Sequence, residues 1–171
     1  EITKMLEVML SVAKDFKDYQ FVIAGAPSHD EDFYKPFIKN KNIHLLLNKT
    51  YDLLSVSKAA LVTSGTATLE TALFKVPQVV CYKGSRISYE IAKRIIKLKY
   101  ISLVNLILDK EVVTELIQTD FNNKRLKEEL NKILNEYNRA VLFLEYYNLE
   151  QKLGGIGASE KTAKLIVEAV K

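Results

Sequence analysis

The sequence predicts an α/β domain built on a parallel sheet that is covered by helices on both faces. Short strands that are apolar throughout alternate with helices of about ten residues over the amino-terminal part of the chain. Hydrophobic residues make up 48% of the 171 positions and charged residues 27%, as in an ordinary folded domain. With only six glycines and three prolines, no internal linker is indicated, so we expect one domain over 1–171.

The alternation begins with an amphipathic helix over 2–17, in which Met5, Met9, Ala13 and Phe16 share one stripe. The segments that follow are predicted from apolar runs and from the turn residues between them. They are a strand within "YQFVIAGAP" at 19–27, a helix near 31–39, a strand at 43–47, a helix near 51–57, a strand at 59–63, a helix at 67–74, a strand at 77–82, a helix at 87–97 and a brief strand near 100–103.

A helical tail is predicted for 110–171, where only helical periodicity remains. Leu126, Leu130, Ile133 and Tyr137 are spaced as one face of a helix. The glycine-rich stretch "GGIGAS" then breaks the chain before a final helix. We expect this tail to pack on the sheet domain.

Composition also excludes several classes of protein. No stretch reaches the roughly 18 apolar residues of a membrane span, and the charged opening is unlike a signal peptide. A single cysteine, Cys81, indicates a reducing compartment without disulfides. The two histidines are not spaced as metal ligands, so the sequence indicates no metal site. It indicates no other cofactor either. Because the chain opens inside a helix, without an initiator methionine, we expect a fragment of a longer protein.

Positive charge is concentrated in residues 83–99. This stretch has six lysines and arginines against one acid, Glu90, whereas the whole chain carries only +4. Such a run is compatible with a solvated helix face. It is equally compatible with a surface that meets phosphate, on a ligand or on anionic lipid. The net charge is too small to indicate nucleic acid.

A polar turn at Ser64-Gly65-Thr66 separates strand 59–63 from the next helix. Glycine permits a sharp turn and a close ligand approach, and the two hydroxyl residues are good helix caps. The amides and dipole of a helix N-terminus favour an anion such as a diphosphate. Glu70, four residues after Thr66, shares its helix face and suits the two hydroxyls of a ribose. A simple capped turn remains the alternative, and neither a P-loop nor a GxGxxG fingerprint is present.

Longer motifs around this turn resemble the carboxyl-terminal half of the lipid-A-disaccharide synthase family. They are "SGTATLETALFKVPQVVCYK" and "SYEIAKRIIKLKYISLVNLILDKEVVTELIQ", with "LGGIGASEKTA" near the end. The resemblance covers 59–120 continuously and 153–168 more loosely. The sequence departs from the family pattern at Val104, where proline is usual, at Gly84–Arg86, and at Asp109, where glycine is frequent.

The resemblance implies the carboxyl-terminal half of a GT-B glycosyltransferase, a Rossmann-like three-layer domain. The family transfers 2,3-diacylglucosamine from its UDP derivative to 2,3-diacylglucosamine 1-phosphate, forming the disaccharide of lipid A. Its amino-terminal half, with the proposed catalytic acid, and its Gly-Ser-Arg motif are absent here, so the resemblance implies no catalytic residue and no turnover for this chain alone. Implied partners are the two lipid substrates, the missing half and an anionic membrane surface, and a homodimer is left open. The implied location is the cytoplasmic side of a Gram-negative inner membrane, with peripheral attachment.

Two other functions stay open at this point. One is another UDP-N-acetylglucosamine-dependent GT-B enzyme, either a peptidoglycan transferase or a 2-epimerase, although those families lack the Tyr-Ile-Ser-Leu-x-Asn and Glu-Leu-x-Gln succession. The other is a non-catalytic module that binds a nucleotide. The resemblance implies diphosphate, ribose and donor-sugar contacts from eight residues in all. They are Ser64, Gly65, Thr66, Glu70, Asn105, Gln118, Lys93 and Arg94.

Overall fold

The α/β class is confirmed by the order of elements along the chain. The computed structural model describes residues 2–85 and 99–170. Its helices are α1 Ile2–Leu10, α2 Glu31–Tyr34, α3 Thr50–Val56, α4 Thr66–Leu73, α5 Leu103–Leu108, α6 Asn123–Leu134, α7 Glu136–Leu153 and α8 Ala158–Ala169. Its strands are β1 Phe21–Gly25, β2 Ile43–Leu47, β3 Ala60–Thr63, β4 Gln78–Tyr82 and β5 Glu115–Ile117.

All strand pairs in the described residues are parallel, as predicted. β1 pairs with β2, and β4 lies between β3 and β5 in a second sheet. Thr63 lies opposite Cys81, and Tyr82 lies opposite Ile117. The residues that follow these three strands therefore come to the same edge, where ligands of parallel sheets bind.

Strand β4 lies at the centre of the larger hydrophobic core. Val79, Val80 and Cys81 are completely buried. Side chains from α1, α6 and α7 belong to the same core cluster, among them Met9, Leu126 and Leu149. Burial of β4 explains why its sequence is a continuous apolar run and does not alternate. A smaller cluster packs β1 and β2 against α2 and the turn after it.

Two predicted helices are shorter than expected. The helix predicted over 2–17 ends at Leu10, and a 3₁₀ turn follows at Ala13–Asp15. Ser11 donates its hydroxyl to the Val8 carbonyl, a local bond that competes with helix continuation. The helix predicted near 31–39 is one α-turn followed by a 3₁₀ turn that contains Pro36, which has no N–H to donate.

The predictions around 100–120 need two corrections. The brief strand near 100–103 is wrong, because Ser102 caps α5 by accepting a hydrogen bond from the Asn105 amide. The tail from 110 onward is not purely helical, because β5 lies within it. Three residues are too few to show a strand period. The helix predicted at 87–97, with Lys93 and Arg94, lies outside the described residues.

The carboxyl-terminal periodicity belongs to two helices instead of one. Asn135 ends α6 and caps α7, where it accepts hydrogen bonds from the amides of Tyr137 and Asn138. Tyr137 therefore falls on the next helix and is 77% exposed. The expected break follows α7, at Gly154 in the left-handed conformation. No helix among the described residues is long and apolar enough to cross a membrane.

Two of the buried titratable side chains, Cys81 and Tyr146, have a pKa that burial raises. Burial raises the pKa of the Cys81 thiol well above its usual range, so this cysteine stays protonated and unreactive in the native state. Burial also raises the pKa of the Tyr146 phenol, to about 12. Tyr146 is completely buried on α7. In both cases burial favours the neutral form of the group.

We expect Tyr146 to make the free energy of unfolding fall at high pH. Its pKa is about 10 when unfolded and about 12 when folded, so the native state holds the proton more tightly between these values. The stabilisation is complete below pH 10 and is lost as pH rises toward 12, by about 1 kcal/mol between pH 9 and pH 11. In Tyr146→Phe, which has no phenol to titrate, the free energy of unfolding measured with denaturant should fall less than in wild type between pH 9 and pH 11. The exposed control Tyr137→Phe should behave as wild type, and an equal loss in all three proteins would refute the assignment.

Candidate functional site

The turn after β3 has a backbone conformation that only glycine adopts readily. Gly65 has φ 136° and ψ −163°, a region that residues with a Cβ avoid. A Cβ built there would meet no described atom within 4 Å, so the restriction comes from the backbone and not from crowding. The turn therefore requires glycine and leaves open space for a ligand to approach closely.

The N-terminus of α4 is left without a side-chain cap. Gly65 is the N-cap residue, so the expectation that Ser64 or Thr66 caps this helix is wrong. Thr68 turns back on Gly65, donating both its amide and its hydroxyl to the Gly65 carbonyl. The amides of Thr66 and Ala67 have no hydrogen-bond acceptor among the described residues. Uncapped amides at the positive end of a helix dipole can bind an anion.

Ser64 connects this turn to a distant segment of the chain. Its hydroxyl donates to the Ile101 carbonyl at 3.0 Å, across 37 residues. The contact brings the Ser64 turn next to the segment 101–105 that leads into α5. The polar turn at Ser64 and the segment that contains Asn105, which are far apart in the sequence, are thus in direct contact. The Ser64 hydroxyl uses its proton in this hydrogen bond, so its oxygen can still accept a hydrogen bond from another group.

Asn105, which the resemblance assigns to contacts with the donor, is a buried residue and not the exposed amide that such a contact needs. It has no accessible surface, and its amide nitrogen donates to the Val113 carbonyl and to Glu115 Oε1 at 2.8 and 2.9 Å. Its oxygen accepts from the amides of Val112 and Val113. With all its hydrogen-bonding capacity used, the side chain orders the loop between α5 and β5. A direct contact with a ligand stays a prediction.

Glu115 is a residue of this region that sequence reasoning missed. Its Oε2 accepts from the Ile101 amide at 2.9 Å, and its Oε1 accepts from the amide and hydroxyl of Ser102 at 2.9 and 2.7 Å. The signal was available, since a carboxylate begins the apolar strand β5. It also opens the Glu-Leu-x-Gln motif, from which only Gln118 was selected.

Gln118 directly follows β5 at the carboxyl edge of the sheet. Its φ is 52°, an uncommon left-handed conformation for a residue with a side chain. Its amide donates to the Tyr82 carbonyl at 2.9 Å, which anchors it beside β4. Its side-chain nitrogen is buried and has no hydrogen-bond partner among the described residues. An uncommon backbone conformation and a buried donor without a described acceptor recur at ligand-binding positions, which makes Gln118 a candidate contact.

Glu70 lies on α4, one helical turn after Thr66, and is half-buried. Its carboxylate makes neither a hydrogen bond nor an ion pair with another described residue. Lys93 and Arg94 lie outside the described residues, so their placement relative to the turn is a prediction. In the described ranges, no group of histidine, cysteine, aspartate and glutamate side chains could hold a metal ion.

Comparison with known proteins gives a consistent match along the chain. A family model described as lipid-A-disaccharide synthetase matches residues 1–167. A lipid-A-disaccharide synthase of Syntrophus aciditrophicus is 37% identical over 179 residues, covering 100% of this chain and 47% of the relative. The lipid-A-disaccharide synthase of Geobacter sulfurreducens is 32% identical, with 98% of this chain and 46% of that protein covered. The lipid-A-disaccharide synthase of Nitrosococcus oceani is 33% identical, with 98% of this chain and 45% of that protein covered. The chain spans about half the length of the curated relatives it matches.

Replacing Gly65 with asparagine should lower the free energy of unfolding by about 1–3 kcal/mol, the cost of a strained backbone. Gly155 is a matched control, because its φ of 66° lies in the left-handed region that asparagine tolerates. Gly155→Asn should therefore cost much less than Gly65→Asn. Denaturant unfolding of the two variants measures the difference, and equal losses would contradict the special backbone requirement at Gly65.

Proposed function

Since the chain belongs to the lipid-A-disaccharide synthase family, we propose that it forms the UDP-sugar-binding half of a glycosyltransferase of lipid A biosynthesis. The observation that carries the proposal is the uncapped N-terminus of α4 behind a glycine-only turn. The N-terminus of α4 lies at the carboxyl edge of a parallel sheet, where such folds bind their ligands. The family match over 1–167 favours this function over a peptidoglycan transferase or a 2-epimerase.

The diphosphate of the donor binds at the start of α4 in this proposal. The amides of Thr66 and Ala67 donate to phosphate oxygens, and the absence of a Cβ on Gly65 lets the phosphate approach the backbone. The Ser64 side chain holds the turn in place through Ile101. As the glycosidic bond to the diphosphate breaks, the helix dipole stabilises the negative charge on the leaving group. Lys93 or Arg94 supplies a balancing positive charge.

Glu70 binds the ribose and Gln118 the remaining polar groups of the donor. A carboxylate accepts hydrogen bonds from both hydroxyls of a cis-diol, and Glu70 has no described partner that competes for it. The buried amide nitrogen of Gln118 has no acceptor in the described ranges, and a ligand oxygen would satisfy it. Asn105 shapes the neighbouring loop and reaches the donor only if that loop rearranges.

The complete reaction is proposed for a protein that contains both halves of the family's length. It transfers 2,3-diacylglucosamine from the UDP derivative to 2,3-diacylglucosamine 1-phosphate, with the catalytic acid on the other half. The chain by itself binds the donor nucleotide but does not turn over. The acylated substrates place the enzyme at the cytoplasmic surface of the inner membrane, held peripherally by the basic residues of 83–99.

UDP should bind the chain more tightly than its 2′-deoxy analogue, and Glu70→Ala should abolish this preference. Hydrogen bonds to a charged group contribute about 1.5–3 kcal/mol, so Glu70→Ala should weaken UDP binding about ten- to a hundredfold. Calorimetric titration of each nucleotide measures both effects. Glu128→Ala removes an exposed carboxylate from α6 and should leave binding unchanged. Equal affinities of wild type and Glu70→Ala would remove Glu70 from the ribose site, and no UDP binding by wild type would overturn the proposal.

Anionic vesicles should bind the chain at low salt and release it at high salt. Each cation near the surface contributes about 1 kcal/mol, so replacing Lys97 and Lys99 with glutamate should weaken binding more than tenfold. Co-sedimentation at about 0.01 M and about 1 M ionic strength tests the salt dependence. Lys161→Glu with Lys164→Glu on α8 is the charge-matched control and should bind as wild type. Equal binding by the two double variants would exclude 83–99 as the contact surface.

A further inference from the structure

We propose that Glu115 is a positioning residue whose carboxylate holds segment 101–105 against the Ser64 turn and so shapes the nucleotide site. This inference rests on the nucleotide-binding function proposed above. It gives a role to a charged side chain that contacts no part of the α4 N-terminus itself. Glu115 acts on the ligand through the residues it holds.

The carboxylate of Glu115 is fully committed to this segment. Its two oxygens accept four hydrogen bonds, from the amides of Ile101 and Ser102, the hydroxyl of Ser102 and the side-chain amide of Asn105, at 2.7–2.9 Å. Hydrogen bonds to an ionised acceptor are about twice as strong as neutral ones. Four of them on one half-buried side chain define a single position for the backbone at 101 and 102.

Segment 101–105 depends on this contact because it begins outside any helix or strand. The amides of Ile101 and Ser102 have no other acceptor among the described residues, so without Glu115 they would be unsatisfied. Ile101 is held at both its polar groups, since its amide donates to Glu115 and its carbonyl accepts from Ser64. A single residue therefore links the end of β3 to the beginning of β5, two strands that β4 separates.

The same contact also fixes the position of α5. Ser102 is the N-cap residue of this helix, and Asn105 lies in its first turn. Helix α5 packs directly against α4, the helix that begins at the proposed diphosphate site. Movement of the segment would therefore shift Ser64 on one side and α4 on the other, and these two features define the anion-binding turn.

The test combines two variants of Glu115 with a matched control. Glu115→Gln keeps the size of the side chain but replaces one acceptor oxygen with a donor. Glu115→Asp keeps the charge on a side chain that is one methylene shorter. The control, Glu111→Gln, makes the same chemical change at an exposed glutamate four residues earlier in the chain. Amide hydrogen exchange by NMR reports on the segment, and titration with UDP reports on the site.

In Glu115→Gln, we expect the amides of Ile101 and Ser102 to exchange about tenfold faster and UDP to bind about tenfold more weakly. The Val80 amide, which donates to the Thr114 carbonyl beside the core, should keep its protection. Glu115→Asp should fall between Glu115→Gln and wild type in both measurements. Glu111→Gln should match wild type.

Unchanged exchange at Ile101 and Ser102, or unchanged UDP affinity, in Glu115→Gln would overturn the proposal. An equal loss of protection at Val80 would also overturn it, because Glu115 would then support the whole fold and not this segment. If the wild-type chain does not bind UDP, the proposed function fails and the role of Glu115 in binding fails with it. The exchange measurement would then still report separately whether the carboxylate holds the segment.

Discussion

Strand β4 pairs in parallel with both β3 and β5, and the core helices and the candidate site are arranged around this pairing. A central strand with Val79, Val80 and Cys81 fully buried must be covered on both faces, and parallel neighbours must be reached by crossovers. The helices of the chain cover the strand and also form the crossovers between neighbouring strands. The same pairing brings the ends of three strands to one edge, so Ser64 and Gln118 lie at the same edge of the sheet although they are 54 positions apart in the sequence.

Helix α4 is attached to this central strand by a buried polar contact as well as by apolar packing. Gln78, the first residue of β4, donates its side-chain amide to the Thr68 carbonyl at 2.9 Å, with no exposed surface. Removing such a contact would leave a buried polar group unsatisfied, which costs more than the bond contributes. The direction of α4, and therefore the direction of its N-terminal amides, depends on the position of β4.

The polar groups around the Ser64 turn, α5 and β5 are of two kinds, those that order the protein and those that are free to bind a ligand. Glu115 and Asn105 are satisfied by the protein itself, through bonds that order the segment and the loop on either side of α5. Gln118 has a buried donor, and Glu70 a carboxylate, for which the described residues offer no partner. A binding site needs side chains that bind the ligand and side chains that hold the surrounding backbone, since a ligand is held precisely only by groups whose own surroundings are rigid.

The amino-acid sequence was enough to predict the α/β class, the bounds of β1 to β4 within one or two residues, the glycine turn at 65 and the resemblance to the family. These depend on local information, namely apolar runs, turn residues and ordered motifs. The burial of Asn105, the contact of Ser64 with Ile101 and the four donors to Glu115 could not be predicted, because they arise only when the chain folds. The partners in these contacts lie 7 to 37 residues apart, and the packing of the strands and of α5 brings them together. Strand β5 was missed for the same reason, because three residues have no period of their own and become a strand only beside β4.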